Sequence, residues 1–81
     1  MGIRVLFFAS LADVVGMRET SLDAADLPDV KSVFARFEEK HPRLAEFRKS
    51  ILYAVNSEFA EPDAEVKDGD EVAFLPPVSG G

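Results

Sequence analysis

The sequence predicts an α+β domain: one main helix over a mixed sheet of four to five strands, with short helical turns. Three observations predict it. Short runs rich in β-branched and aromatic residues sit near both ends of the chain, each bounded by turn residues. Between them lies one stretch with a helical period. The whole is 81 residues long, enough for one domain and for a thin core, since a chain of this size buries only about 60% of the surface it exposes when unfolded.

Taken in order, Ile3 to Ala9 reads as the first strand. Ser10-Leu11-Ala12-Asp13 reads as a helix start with Ser10 as N-cap, and Leu11, Val14 and Val15 follow at helical spacing. Gly16 supplies a left-handed cap, so this helix is brief. Met17 to Leu22 is a second strand, with Thr20 and Leu22 on alternate positions. Asp23 to Pro28 is a connection. Pro28 suits the first turn of the main helix, where a missing N–H costs little, and Asp29 sets a negative charge at the positive end of the helix dipole. Val30, Val33, Phe34 and Phe37 then form one apolar stripe, with Lys31, Arg36, Glu38 and Glu39 off it. Pro42 stops the helix near Lys40 or His41. Leu52 to Val55 is the third strand, Asn56-Ser57 a tight turn, and Phe59 part of a weaker strand closed by Pro62. Asp68-Gly69-Asp70 is a turn, Glu71 to Leu75 the last strand, and Pro76-Pro77 its end. The order is ββαβββ, with residues 1–75 as the folded domain and 76–81 as an extended tail.

Composition excludes several kinds of chemistry. The chain has no cysteine, hence no disulfide, thiolate metal site or cysteine nucleophile. A single histidine rules out a multi-histidine zinc centre, and no metal site is expected. Nine Lys and Arg against fifteen Asp and Glu give a net charge of −6, which a nucleic-acid backbone repels and a basic-rimmed protein partner attracts. The longest apolar run, Val5 to Ala9, is far short of the roughly 20 residues that span a membrane. No secretion signal is visible, so the cytoplasm is the expected compartment.

Two features point to function. Ile3, Val5 and Phe7 share one face of the first strand, and Leu6 and Phe8 the other. Val72 and Phe74 likewise oppose Ala73 and Leu75. One helix covers one face, so Leu6, Phe8, Leu75 and Phe59 form either a partner surface or a second minor core under loops. The second feature is the end of the sequence, Pro76-Pro77-Val78-Ser79-Gly80-Gly81. Six residues reach about 20 Å when extended. The prolines stiffen the exit, and the two glycines give a tip slim enough to enter a narrow channel, where the terminal carboxylate is open to attack. Taken alone, a Gly-Gly end favours an inert, frayed terminus, which is what most chain ends are. A free carboxylate needs activation before it reacts, and the chain carries no phosphate-binding loop of its own.

Across essentially its whole length the chain resembles the small subunits of molybdopterin synthase, the MoaD branch of the MoaD/ThiS ubiquitin-like sulfur carriers. Val5-Leu6-Phe7-Phe8-Ala9, Ala54-Val55-Asn56 and the long run from Asp68 to Gly81 carry the resemblance, with Ser79 where threonine is also common. The resemblance implies a β-grasp fold. It implies that Gly81 is the reacting residue, adenylated by a ubiquitin-activating-type adenylyltransferase that consumes ATP, then converted by a sulfur donor to a thiocarboxylate. The residues Pro76, Pro77, Val78, Ser79 and Gly80 would insert with it into the large catalytic subunit, in a heterotetramer, where sulfur passes to cyclic pyranopterin monophosphate. Phe8, Phe59 and Leu75 would anchor that partner. No cofactor would be held permanently. Related carriers serving thiamine synthesis or tRNA thiolation, a protein modifier joined through Gly81 to lysines, and a passive interaction module are the alternatives.

The remaining candidates have plainer readings. His41 reads as a solvated helix end. Asp68 and Asp70 read as turn residues, since a calcium loop needs more oxygen ligands at set spacing. Glu38, Glu39, Glu61, Asp63 and Glu65 read as solvated surface, and Phe34, Phe37 and Phe47 as core.

Overall fold

The computed structural model describes residues 2–23 and 27–77. Its elements are β1 (Ile3–Phe7), α1 (Ser10–Val15), β2 (Glu19–Leu22), α2 (Val30–Lys40), a 3₁₀ helix (Pro42–Phe47), β3 (Leu52–Val55), β4 (Glu58–Ala60) and β5 (Glu71–Leu75). Five strands make one sheet in the order β2-β1-β5-β3-β4. The two central strands, β1 and β5, run parallel, with Leu6 opposite Ala73 and Phe7 opposite Phe74. The flanking pairs are antiparallel.

The helix α2 covers one face. Its stripe of Val30, Val33, Phe34 and Phe37 is buried, as the period requires. It meets Ile3, Val5, Phe7, Tyr53, Val72 and Phe74 from the sheet, with Leu11 and Val15 of α1 and Leu44 of the 3₁₀ helix closing the sides. Aromatic rings fill the centre. Phe74 lies 5.2 Å from Phe34, 5.6 Å from Phe7 and 5.7 Å from Tyr53, and Phe37 packs edge-on to Phe7 at 4.9 Å. Such tilted and edge-to-face pairs add to simple burial. Among the described residues no polar or charged residue is buried.

Several local expectations are corrected. Ser10 is the first residue of α1 and not its N-cap; Ala9 takes that place, and no side chain caps the helix. The chain turns there through the backbone. Ala9 adopts φ 51°, ψ −128°, and the Leu11 N–H donates to the Phe8 carbonyl at 3.1 Å. At the start of α2 the N-cap is Asp29, whose carboxylate accepts from the Ser32 N–H at 3.0 Å and from the Ser32 hydroxyl. Pro28 therefore precedes the cap and lies outside the first turn. Pro42 does end α2, but it also opens the 3₁₀ helix, where its missing N–H is harmless. Glu38 is not free surface: its carboxylate is gripped by the Arg48 guanidinium across that second turn. The second strand begins at Glu19, two residues later than predicted.

Other expectations stand. Gly16 caps α1 in the left-handed region at φ 82°. Asn56 and Ser57, at φ 50° and 71°, form a two-residue hairpin turn of the type whose twist matches the strands. Both β3 and β5 have the predicted limits. Phe34 and Phe37 are core, and Phe47 is partly buried against it.

Candidate functional site

The sheet face away from α2 is open, and the register arranges it in three rows. The row nearest the start of β5 is polar: Ser21, Arg4 and Glu71 lie side by side, and Asn56 is hydrogen-bonded to the Glu71 backbone. The middle row runs Glu19, Leu6, Ala73, Ala54, Phe59. The third row places Leu75 opposite Leu52, with Phe8 beside it because the Phe8 N–H donates to the Phe74 carbonyl at 3.1 Å. This third row lies at the end where β5 gives way to Pro76-Pro77.

The apolar rows form a shallow depression of about 200 Å³ lined by Leu6, Phe8, Ala54, Phe59, Ala73 and Leu75, with Ser57 and Glu71 on its polar side. Two alanines make its floor and the larger side chains its walls. Phe59 is 76% exposed and Phe8 43%, so neither is covered by a loop. Of the two readings of this face, the second minor core is excluded for these two residues. A large exposed aromatic on the short edge strand β4 contributes nothing to a core; it is the residue type that anchors interfaces.

The polar row is electrostatically organised. Arg4 makes a two-pronged contact with Glu19, Nε to Oε2 at 2.7 Å and Nη2 to Oε1 at 3.2 Å. Its Nη1 lies 3.4 Å from Glu71. The hydrogen bond from Arg4 holds the Glu19 carboxyl below the usual range, and the same bond holds the guanidinium above its own. Behind this row a knot ties the turn between β3 and β4 to the start of β5 and the loop before it. Asn56 Nδ2 donates to Asp70 Oδ1 at 3.1 Å, the Lys67 N–H donates to Asp70 Oδ2 at 2.8 Å, and the Glu71 N–H donates to Asn56 Oδ1 at 3.0 Å. The Lys67 N–H and the Asn56 amide together hold the Asp70 carboxyl below its usual range. These are turn contacts, and among the described residues no group of acidic and histidine side chains could hold a metal.

The site residues expected from sequence divide accordingly. Phe8, Phe59 and Leu75 are brought onto one face. Pro76 and Pro77 follow β5 directly. Val78, Ser79, Gly80 and Gly81, the residue expected to react, lie outside the described residues. His41 is the partly buried C-cap of α2, on the covered side of the sheet. Sequence reasoning missed Ala54 and Glu71. The alternation along β3 and β5 was the available signal, but only the register shows that Ala54 and Ala73 are neighbours. Among the described residues no helix is long and apolar enough to cross a membrane.

Comparison with known proteins places this geometry. The ThiS family matches residues 5–81. A curated relative from Escherichia coli (strain K12), a molybdopterin synthase sulfur carrier subunit, is 42% identical over 81 residues, covering 98% of this chain and 99% of that one. Among solved structures, the small archaeal modifier protein SAMP1 from Haloferax volcanii superposes with TM-score 0.80 at 31% identity over all of both chains. A complex of subunits 1 and 2 of molybdopterin-converting factor from Helicobacter pylori 26695 contains a chain matching at TM-score 0.70 and 29% identity, again over all of both. The fold is a ubiquitin-like β-grasp, and the chain belongs to the ThiS family.

Proposed function

We propose that this member of the ThiS family is the sulfur carrier subunit of molybdopterin synthase, working in the cytoplasm in molybdenum cofactor biosynthesis. The observation that carries the reading is the position of the apolar depression. Phe8 and Leu75 stand where β5 passes into Pro76-Pro77, so a partner seated on this face meets the root of the tail. From that root, residues 76–81 span about 20 Å when extended, enough to carry Gly81 into a partner's pocket. The full-length likeness to a carrier subunit of that name supports the choice of acceptor, and the two-subunit complex supports a large-subunit partner.

The chemistry follows from what the chain lacks. Without cysteine it cannot hold sulfur as a persulfide, which leaves the terminal carboxylate. An adenylyltransferase of the ubiquitin-activating type joins the Gly81 carboxylate to AMP, releasing pyrophosphate from ATP. A sulfur donor displaces AMP and leaves a thiocarboxylate. That anionic sulfur is nucleophilic without a neighbouring base. In the large subunit the sulfur attacks a carbon of cyclic pyranopterin monophosphate and a C–O bond there breaks, the oxygen leaving with the electron pair; water then cleaves the resulting thioester, returning the Gly81 carboxylate and leaving the sulfur on the pterin. A dithiolene holds two sulfurs, so two carriers act in turn, in keeping with a heterotetramer. The carrier itself holds no permanent cofactor; the pocket belongs to the partner, and Pro76, Pro77, Val78, Ser79 and Gly80 thread into it.

The test uses the intact protein recovered from cells with an active sulfur pathway. Its mass shows one carboxylate oxygen replaced by sulfur, and the charged form converts the pterin in the presence of the large subunit. A chain carrying one extra residue after Gly81 does neither. Sulfur delivery by that extended chain, with no trimming, overturns the reading. A second reading, a protein modifier, is favoured by the likeness to SAMP1. It predicts a ladder of conjugates above the free protein on denaturing gels of cell extract.

A further inference from the structure

We propose that Glu71 selects the partner: the segment of the large subunit that seats on the open face presents an apolar side chain to the Ala54–Ala73 floor and a lysine or arginine to the Glu71 carboxylate. The inference rests on the carrier reading above and adds the partner's chemistry to it.

Among the described residues, Glu71 is the one charged residue lining the apolar depression. Its backbone is fixed on both sides, the N–H donating to Asn56 Oδ1 at 3.0 Å and the carbonyl accepting from the Asn56 N–H at 2.7 Å. Its carboxylate is much less committed. Among the described residues no donor makes a hydrogen bond to it, and its ion-pair partner is Arg4 Nη1 at 3.4 Å. Arg4 spends its better-directed donors on Glu19, through both Nε and Nη2. Two carboxylates thus share one guanidinium, and the nearer one, outside the depression, holds it. The result is a partly exposed anion, its side chain 32% accessible, with free acceptor positions, set on a rigid strand at the rim of an apolar hollow. A carboxylate in that position favours a cationic side chain arriving with an apolar one and disfavours an acidic or wholly apolar segment. The net charge of −6 acts in the same direction at long range.

The arrangement gives opposite effects for two neighbours in one row. E71Q removes the anion. R4Q frees it from its share of the guanidinium. E39Q makes the same charge change as E71Q on α2, which covers the other side of the sheet. Binding of each full-length variant to purified large subunit is measured by titration at two or three salt concentrations, with thermal melts to show that each is folded. The expected result is a threefold to tenfold weaker affinity for E71Q, roughly the size of a rim ion pair, with a flatter salt dependence. R4Q binds more tightly than wild type, and E39Q leaves the affinity within twofold of wild type. Equal affinity and equal salt dependence for E71Q and E39Q overturn the proposal while wild-type binding keeps the carrier reading intact. Absence of wild-type binding overturns the carrier reading, and the partner chemistry falls with it.

Discussion

Replacing Ala9 by glycine stabilises the domain, although glycine at most positions does the reverse. Ala9 sits at φ 51°, ψ −128°, and the Leu11 N–H closes the turn onto the Phe8 carbonyl at 3.1 Å. This is a four-residue turn with positive φ at its second position, the geometry that selects glycine. The Cβ of an L-residue is strained there by about 1–3 kcal/mol. Glycine removes the strain but makes the unfolded chain more flexible, which offsets about 0.4–1 kcal/mol. The net gain is about 1 kcal/mol, and for a domain of this size each kcal/mol moves Tm by roughly 4–8 °C. Thermal unfolding followed by far-UV circular dichroism measures it directly. Ala12, inside α1, serves as the control, because A12G loses about 0.5–1 kcal/mol through ordinary helix entropy. A melting temperature for A9G equal to or below that of wild type refutes the strain argument. A rise for both variants refutes the assignment of the effect to the turn.

Two further outcomes are expected. Phe59 is 76% exposed, so F59S changes stability by less than about 0.5 kcal/mol, while affinity for the large subunit falls at least roughly tenfold, as for a buried aromatic anchor; melts and titration calorimetry check the pair. Asp70 has its carboxyl lowered in the folded state, first by the Lys67 N–H and then by the Asn56 amide. A lowered folded pKa means stability that is present above the ordinary value of 3.8 and is lost as pH falls through the depressed native value. Urea melts of wild type and D70N therefore differ most at neutral pH and converge as pH drops below 3.8; a gap that stays constant with pH contradicts the assignment.

Much of the fold was legible because it depends on short-range pattern. The α2 stripe is a matter of spacing alone, and β3 and β5 lie between turn residues that chemistry confines to turns. The errors occur where a nearby rule met a non-local cause. Ser10 is a good cap by propensity, but the reversal at Ala9 is made by the backbone, and an alanine carries no sign that its φ is positive. Pro42 stops one helix and starts another, and six residues of 3₁₀ structure leave no period to detect. The Glu38–Arg48 contact crosses a turn that was not foreseen, so Glu38 looked solvated. On the open face, alternation was enough to find Phe8, Leu75 and, less directly, Phe59. It could not find the floor, because Ala54 and Ala73 meet only through strand pairing, nor Glu71, whose importance depends on which carboxylate Arg4 prefers.

The parallel pairing of β1 and β5 explains why the apolar end of the open face and the end of β5 coincide. β1 and β5 are parallel, so the last residue of each points to the same end of the sheet. Phe8, one step past β1, therefore stands beside Leu75, the last residue of β5, which Pro76 follows directly. With β5 antiparallel to β1, the same residues would lie at opposite ends, and a partner gripping Phe8 would be a strand's length from the exit. A parallel neighbour requires a crossover, and here that crossover includes α2, the helix that covers the other face. One topological choice thus buries the core side, leaves its opposite open, and sets the end of β5 at the apolar end of the open face. The cost is a thin core with a single helical layer. That the exposed aromatics Phe8 and Phe59 persist on so small a body follows if the open face is covered in use, since an uncovered apolar hollow would otherwise be an aggregation hazard.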